Sequence, residues 1–243
     1  MENNRNFNGE VILKEDYFSI FDKIDPVWAQ EQAKEIIETM PRFQRGVTTA
    51  KFYNNYETWK FVRGSTHPLI EKFFNLVDEH KDTFRKLYNR ECNVHVCRLT
   101  YVQNASEEIS VWHKDGKYLN GNMHLTINGN CNLLIRDEEK CVTHLQVPNG
   151  TYFFFNATEY QHTVKPTSGE RIEATGFIDE YQASIDAYYA AAADHPYKLC
   201  DKNHPAWIAW EFKVYDYMKK SFADGKASAE YPADWPQENI DNE

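Results

Sequence analysis

The sequence has 243 residues, of which 37 are acidic and 27 are basic, so its formal net charge is −10 at pH 7. A nucleic-acid-binding protein usually carries a stripe of Lys and Arg, and no such cluster is present, so nucleic acid is a disfavoured partner. No apolar run approaches the roughly 18 residues of a membrane-spanning helix. The first residues, MENNRNFNGE, lack the basic and apolar regions of a signal peptide. We therefore expect a cytoplasmic protein that does not enter a membrane.

The cysteine pattern favours the same compartment. Five cysteines are present, an odd number, and none is arranged as Cys-x-x-Cys. This pattern argues against a disulfide framework or a cysteine-based metal site, and it fits buried thiols in a reducing environment. The residues concerned are Cys92, Cys97, Cys131, Cys141 and Cys200.

Residues 1–92 are predicted to form a mixed support of helices and strands, with helices dominant. Asp25 followed by Pro26 is typical of a helix start, because the Asp side chain can cap the helix and proline is tolerated in its first turn. Apolar residues at helical spacing then continue to Met40. A second apolar stripe, at steps of three or four, predicts one continuous helix over residues 68–88.

Residues 93–178 are predicted to be β structure. Short runs rich in β-branched and aromatic residues are separated there by Gly, Asn, Asp and Pro. Eight short strands, with turns about every eight to twelve residues, favour an antiparallel double-sheet roll, or jelly roll, over alternating βαβ units. The predicted fold class is therefore mainly β with flanking helices. The strands are predicted near residues 94–103, 109–113, 123–128, 132–136, 142–147, 151–156, 160–165 and 171–178.

Residues 179–243 are predicted to be a helical extension that ends in a polar tail. An apolar stripe from Trp207 to Phe222 begins after Pro205 and keeps helical spacing. The simplest interpretation of the apolar stripes in residues 1–92 and 179–243 is that they are helix faces that pack on the sheet. We therefore expect residues 1–243 to form a single domain.

The tripeptide His-Lys-Asp occurs twice, and the predicted secondary structure separates the two copies. On a strand, residues i and i+2 point to the same face, so an imidazole and a carboxylate can meet at one metal ion. On a helix the same positions diverge by about 200°. His80 and Asp82 lie within the predicted helix, where a buried structural histidine is the simpler interpretation. His113 and Asp115 lie at the end of a predicted strand and precede a turn-rich segment, where a substrate can approach.

A second group of candidate residues lies on two later strands. His162 follows the run GTYFFFNATEY, and Arg171 lies nine residues further on, across one turn. Two histidines and one aspartate can occupy one face of an octahedron, as in non-haem Fe(II) oxygenases, which leaves three positions for a bidentate 2-oxo acid and O₂. Arg171 could then bind the distal carboxylate of that acid, and Thr175 on the same strand face could add a hydroxyl hydrogen bond.

In these residues the sequence resembles the Fe(II)/2-oxoglutarate-dependent dioxygenases, and among them the prolyl-hydroxylase-like branch. The resemblance covers residues 93–178 and rests on WHKDG, on MHLTIN followed by CNLLIRDE, and on GTYFFFNATEYQHTVKPTSGERIEATGF. It implies a double-stranded β-helix core that binds Fe(II). The family's order of His-x-Asp, a distal His, Arg nine residues later and Thr four beyond it is matched at His113, Asp115, His162, Arg171 and Thr175.

The resemblance also implies the co-substrate and the reaction. Arg171 and Thr175 would hold 2-oxoglutarate, Tyr101 on the first strand would assist them, and ascorbate is implied as a reductant. The carboxylate at Asp115 implies hydroxylation rather than halogenation, in which a smaller residue makes room for halide. One departure is the turn NGNCN at residues 128–132, which matches the family's glycine-rich turn only loosely.

The sequence leaves the substrate open. The resemblance favours a prolyl-type amino-acid side chain, so the partner would be a protein, a peptide or a small molecule such as a free amino acid. One alternative is oxidative demethylation of nucleic-acid bases, which the charge of −10 disfavours. Another is a non-catalytic roll that binds a metal or ligand. Residues 116–122 and residues before position 64 are candidate lids, and the oligomeric state is not predicted.

Overall fold

A computed structural model of the chain describes residues 18–46, 55–88, 93–103, 112–114, 122–129, 131–136, 142–155, 157, 160–166, 169–177 and 182–223. The first half of this described part contains β1 (Phe18–Lys23), α1 (Pro26–Thr39), β2 (Gln44–Gly46), β3 (Asn55–Val62), α2 (Pro68–Glu79) and α3 (Lys81–Tyr88). The second half contains β4 (Val96–Gln103), β5 (Asn122–Asn128), β6 (Cys131–Arg136), β7 (Val142–Val147), β8 (Thr151–Phe155), β9 (Gln161–Pro166), β10 (Glu170–Phe177), α4 (Gln182–Ala192) and α5 (Pro205–Ala223).

The strands form two antiparallel sheets that face each other. The major sheet has seven strands in the order β1-β8-β5-β10-β4-β3-β2, and the minor sheet has three in the order β7-β6-β9. Phe153 and Phe155 of β8 share a buried cluster with Leu133 and Ile135 of β6, which brings the inner faces of the two sheets together. This arrangement confirms the predicted double-sheet roll.

Seven of the eight predicted strands are present close to their predicted positions. The eighth, at residues 109–113, lies mostly outside the described residues, and only its end appears, as a single β-bridge at His113. The prediction for residues 1–92 was incomplete, because β1, β2 and β3 extend the major sheet at both edges. Sequence periodicity shows that a segment can be a strand, but it does not reveal that a distant strand is available as its partner.

The outer face of the major sheet is the core that carries the helices. Five residues on neighbouring strands lie directly opposite one another and form a row across the sheet. Directly opposite residues project to the same face, and all five are fully buried in one cluster with Ala33 of α1 and Phe73 of α2. The row consists of Trp59, Leu99, Ala174, Leu125 and Tyr152.

The helices confirm one prediction and correct another. The Asp25 carboxylate accepts hydrogen bonds from the backbone N–H groups of Val27, at 2.9 Å, and Trp28, so it caps α1 as expected. The helix predicted over residues 68–88 is instead two helices, because the chain turns at His80. The His80 ring stacks on Tyr152, with 6.0 Å between ring centroids. This long-range contact with the sheet is not encoded in helical periodicity.

The last two helices cover one end of the major sheet. Tyr188 of α4 and Trp207 of α5 are buried in a cluster with Phe43 and Val62. Within the part of the chain that the structure describes, none of the helices is long and apolar enough to cross a membrane.

Candidate metal and anion site

Two of the predicted metal ligands, His113 and His162, lie directly opposite each other. Their backbones exchange two hydrogen bonds, at 3.1 Å and 2.8 Å, as an isolated antiparallel bridge at the edge of the minor sheet. Residues paired in this way project to the same face, and the ring centroids are 4.3 Å apart. Two imidazoles at this separation can serve one metal ion.

Phe155 and the backbone carbonyl of Tyr160 both contact the His162 ring. The ring is buried against Phe155, with 4.7 Å between ring centroids. Its Nδ1 lies 3.3 Å from the Tyr160 carbonyl oxygen. With its proton on Nδ1, His162 donates to that carbonyl and keeps the Nε2 lone pair for a metal, which is the usual arrangement of a metal-binding histidine.

The third predicted ligand, Asp115, lies outside the described residues, as do residues 116–121 of the candidate lid at 116–122. Among the residues that are described, no group of three His, Cys, Asp or Glu side chains converges. Two of the three predicted ligands, His113 and His162, are therefore described and lie side by side, and the metal site itself stays a prediction.

Arg171 and Thr175 lie on the inner face of the major sheet. Thr175 is directly opposite His124 of β5, and His124 is opposite Phe153 of β8, which packs on the minor sheet. Arg171 and Thr175 are separated by an even number of positions on β10, so they share this face. Arg171 is only 6% exposed. A buried guanidinium facing the interior of the roll is suited to bind a carboxylate there.

Glu173 lies between these two residues on the same face, and sequence reasoning did not identify it. Its carboxylate pairs with the Arg171 guanidinium and lies 3.8 Å from Nδ1 of His124. Burial alone would raise the pKa of Glu173, but Arg171, His124 and Arg98 together lower it to about 2. Glu173 is therefore ionised at neutral pH, and an anion is already present beside the predicted anion-binding arginine.

Arg98 is the second residue that sequence reasoning missed. It lies on β4 directly opposite Thr175, and its Nε donates a hydrogen bond to Thr175 Oγ1 at 3.3 Å. The hydroxyl in turn lies 3.4 Å from the Arg98 carbonyl oxygen. The only sequence signal for Arg98 is its place in a predicted strand. Its position opposite Thr175 depends on the register between β4 and β10, which the sequence does not reveal.

His162 and the charged group on β10 both border the aromatic interior of the roll, whereas His113 is exposed. His124 stacks on Phe153, with 4.9 Å between ring centroids and 9° between planes, and lies 5.8 Å from Phe155. Phe155 in turn contacts His162. Aromatic contacts thus connect the imidazole pair of the minor-sheet edge to the arginines of the major sheet.

Tyr101 does not join this group, which corrects the prediction for it. In the β4–β10 ladder Tyr101 is opposite Ile172, and both belong to or pack on the cluster of the outer face. Its hydroxyl donates to the Glu170 carboxylate at 3.0 Å. Because side chains alternate along a strand, Tyr101 faces away from Arg171 and Thr175.

Gly129 in the β5–β6 turn positions the start of β10. Its φ is +90°, a conformation that favours glycine. A Cβ at this position would collide with the Glu170 carbonyl oxygen and come within 3.0 Å of Arg171 Cα. The turn therefore has a glycine at the position where the backbone of Glu170 and Arg171 leaves no room for a side chain.

Comparison with known proteins places the fold. Neither protein-family models nor curated protein sequences match the chain. A prolyl-4-hydroxylase from Pseudomonas putida aligns with 68% of this chain and 93% of its own, at 12% identity and a TM-score of 0.51. A prolyl hydroxylase in complex with a hypoxia inducible factor oxygen degradation domain peptide fragment, from Trichoplax adhaerens, aligns with 65% of this chain and 83% of its own, at 14% identity and a TM-score of 0.52. The chain therefore shares the jelly-roll fold of the prolyl hydroxylases.

Proposed function

We propose that this protein, which has the fold of the prolyl hydroxylases, is an Fe(II)- and 2-oxoglutarate-dependent dioxygenase. Its substrate would be an amino-acid side chain, on which it hydroxylates a C–H bond. The observation that carries the proposal is the imidazole pair of His113 and His162, with 4.3 Å between ring centroids. The buried guanidinium of Arg171 on the facing sheet supports it, because a dicarboxylic co-substrate needs a cation for its far end.

The chemistry of the side chains fits a ferrous ion. Imidazole and carboxylate are ligands of non-haem Fe(II), so His113, His162 and Asp115 would hold the metal. Bound together, Fe(II) and 2-oxoglutarate would supply the oxidation, in which O₂ gives one oxygen atom to succinate, as CO₂ leaves, and one to the new hydroxyl group. The carboxylate of Asp115 leaves one positive charge on the pair of Asp115 and Fe(II), which matches the 1-carboxylate of 2-oxoglutarate.

The side chains and backbone of the protein would bind and orient the metal and 2-oxoglutarate, and would exclude water from them. With its proton on Nδ1, His162 would donate to the Tyr160 carbonyl oxygen, which would fix the ring with Nε2 available for the metal. Phe153 and Phe155 line the interior and are almost fully buried, so they keep water away from the bound acid. Arg171 would hold the distal carboxylate, and Thr175 would donate its hydroxyl to it.

The proposed substrate is a side chain in a peptide or protein, with prolyl hydroxylation the first reaction to test. The Trichoplax adhaerens enzyme is itself in complex with a peptide fragment. A free amino acid is the small-molecule form of the same proposal. The net charge of −10 makes nucleic acid the less favoured substrate.

Formation of succinate from 2-oxoglutarate tests the activity without a known substrate. Enzymes of this type turn over their co-substrate slowly when no substrate is present, so we expect succinate from the Fe(II)-loaded protein under air, with ascorbate as reductant. His113→Ala should lower the rate at least about a hundredfold, because it removes a metal ligand. His144→Ala is the matched control, since His144 is an exposed histidine on β7 of the same minor sheet.

Succinate formation that is equal in the His113→Ala and His144→Ala proteins would contradict the assignment of the metal site. A folded protein that forms no succinate would favour a roll that binds without turnover. Once turnover is established, a panel of proline peptides, free amino acids and a methylated oligonucleotide, scored for hydroxylation as a gain of about 16 Da in mass, would identify the substrate class.

A further inference from the structure

One arginine of the minor sheet contacts both of the segments that carry the imidazole pair. Arg136, the last residue of β6, contacts Trp112, which directly precedes His113 in the sequence. It also contacts Gln161, which directly precedes His162. We propose that Arg136 is a positioning residue that aligns the two imidazoles for one metal ion. This inference rests on the proposed function and adds to it a residue that acts without touching the metal.

The contact with Gln161 joins Arg136 to the start of β9. The two residues lie directly opposite each other in the β6–β9 ladder. The Arg136 Nε donates a hydrogen bond to the Gln161 Oε1 at 2.9 Å, and its Nη2 donates to the same oxygen. The donors of a guanidinium are held in a rigid, planar fork. Two of them on one acceptor therefore fix the plane of the group beside His162.

The same guanidinium lies over the Trp112 ring, with 4.8 Å between its central carbon and the ring centroid. A cation above an aromatic face is attracted by the ring electrons, and a planar guanidinium can also stack on the ring. Trp112 is half-buried, whereas His113 beside it is exposed. Trp112 therefore attaches the segment of His113 to β6 through an arginine that Gln161 orients.

Arg136 acts from the face of the minor sheet that is opposite to the imidazoles. His162 lies directly opposite Ile135, which belongs to the buried cluster between the sheets. Adjacent residues on a strand project to opposite faces, so Arg136 and Gln161 lie on the outer face. The guanidinium can therefore affect a bound metal only through the positions of the residues that it contacts.

The register of the pairing between His113 and His162 decides whether both imidazoles face one metal ion. Among the described residues, the segment of His113 pairs with β9 as an isolated bridge, in which two backbone hydrogen bonds are exchanged. A shift of one residue would turn His113 to the outer face, because successive side chains alternate. The same shift would turn Trp112 away from Arg136, so their contact opposes it.

The experiment measures metal binding without turnover. The full chain, freed of metal, is titrated by calorimetry with Mn(II), a divalent ion that binds nitrogen and oxygen ligands. We expect Arg136→Met, which keeps the apolar stem but removes the guanidinium, to raise the Kd for Mn(II) about tenfold, as is usual when a group that orients metal ligands is lost. Trp112→Leu should raise it by a similar factor. Trp112→Phe keeps an aromatic face and should stay within about threefold of wild type.

Arg63 provides the matched control, because its guanidinium makes the same two kinds of contact elsewhere. It donates to the Asp78 carboxylate and lies 4.9 Å from the ring centroid of Phe74, both on α2. Arg63→Met should lower the thermal unfolding midpoint but leave the Kd for Mn(II) within about twofold of wild type. A loss of stability alone would then not account for the effect of Arg136→Met.

The double variant Arg136→Met/Trp112→Leu tests whether the two residues act through their contact. If they do, its Kd should lie within about twofold of that of the more affected single variant. Independent effects would instead multiply. Multiplied effects would refute a shared positioning role.

His113→Ala separates this inference from the proposed function. If His113→Ala weakens Mn(II) binding while folded Arg136→Met does not, the positioning role is refuted and the proposed metal site stands. If wild type and His113→Ala bind Mn(II) equally, the metal site of the proposed function is itself refuted. Should Arg136→Met fail to fold, the two Trp112 variants decide, and equal Kd values for Trp112→Leu and Trp112→Phe would refute the positioning role.

Discussion

Glu173 places a negative charge on the inner face of the major sheet, beside the Arg171 guanidinium. It is ionised, mostly buried and paired with Arg171, and it also contacts His124. Removing one member of a buried ion pair usually leaves the other charge uncompensated, which is strongly destabilising. We therefore expect Glu173 to stabilise the folded protein through its pairing with Arg171.

The low pKa of Glu173, about 2 against an ordinary 4.5, predicts a pH dependence of stability. The folded protein keeps the carboxylate ionised below the pH at which the unfolded chain protonates it. Its contribution is therefore complete above about pH 4.5 and is lost as the pH falls toward 2. We expect the difference in free energy of unfolding between wild type and Glu173→Gln to shrink over this window.

Urea unfolding followed by tryptophan fluorescence at pH 7, 4.5 and 3 measures this difference. Glu38→Gln is the control, because Glu38 is an exposed glutamate on α1 with a surface partner, Lys34. A difference between wild type and Glu173→Gln that is the same at all three pH values would show that Glu173 is not ionised at low pH in the folded state.

At the scale of elements, β3 attaches the two last helices to the major sheet through Lys60. Its ammonium group lies 4.5 Å from the ring centroid of Phe43, 4.6 Å from that of Tyr188 and 5.0 Å from that of Trp207. It also donates a hydrogen bond to the Tyr188 hydroxyl. A cation above several aromatic faces is attracted by their ring electrons, and the lysine stem adds apolar contact.

We expect Lys60→Ala to lower the free energy of unfolding by about 2 kcal/mol, because it removes a cation–π contact shielded from water. Lys60→Met, which keeps the apolar stem, should lose less. Lys34→Ala, on the exposed face of α1, is the control. Equal unfolding midpoints for Lys60→Ala and Lys34→Ala would mean that the contact of the Lys60 ammonium group with the three aromatic rings does not stabilise the fold.

The sequence predicts elements well where the pattern is local. Seven strands of the roll follow from apolar runs between turn residues, and α1 follows from its cap and apolar spacing. β3 was missed because its alternation is partly polar, with Lys60 and Glu57 among its residues. The break at His80 is not predicted because the apolar stripe keeps its helical spacing on both sides of it.

Register explains which site residues could be predicted. His113, His162, Arg171 and Thr175 are predicted from their spacing together with the family resemblance. In the structure His113 is exposed and its ring lies beside that of His162, while Thr175 lies on the inner face of the major sheet. The face to which a residue on β4 points depends instead on how that strand pairs with β10. The register of this pairing places Arg98 on the inner face of the major sheet and Tyr101 on the outer face. Neither orientation can be derived from composition or spacing.

At the scale of the whole molecule, the candidate residues are distributed over the two sheets. The minor sheet and the bridge at its edge bring together His113 and His162, while the major sheet carries the arginines. The outer face of the major sheet is a continuous apolar core against α1 and α2, which leaves its inner face available for polar residues. One sheet can therefore hold the metal while the other holds the far end of a dicarboxylic acid.

The central claim is that His113, Asp115 and His162 bind one ferrous ion beside a pocket for 2-oxoglutarate. Its most direct test is an anaerobic titration of the protein with Fe(II) and 2-oxoglutarate, followed by visible absorption. We expect a weak charge-transfer band that is lost in His162→Ala and kept in His144→Ala. A folded protein without the band, or a band of equal strength in His162→Ala, would contradict the claim.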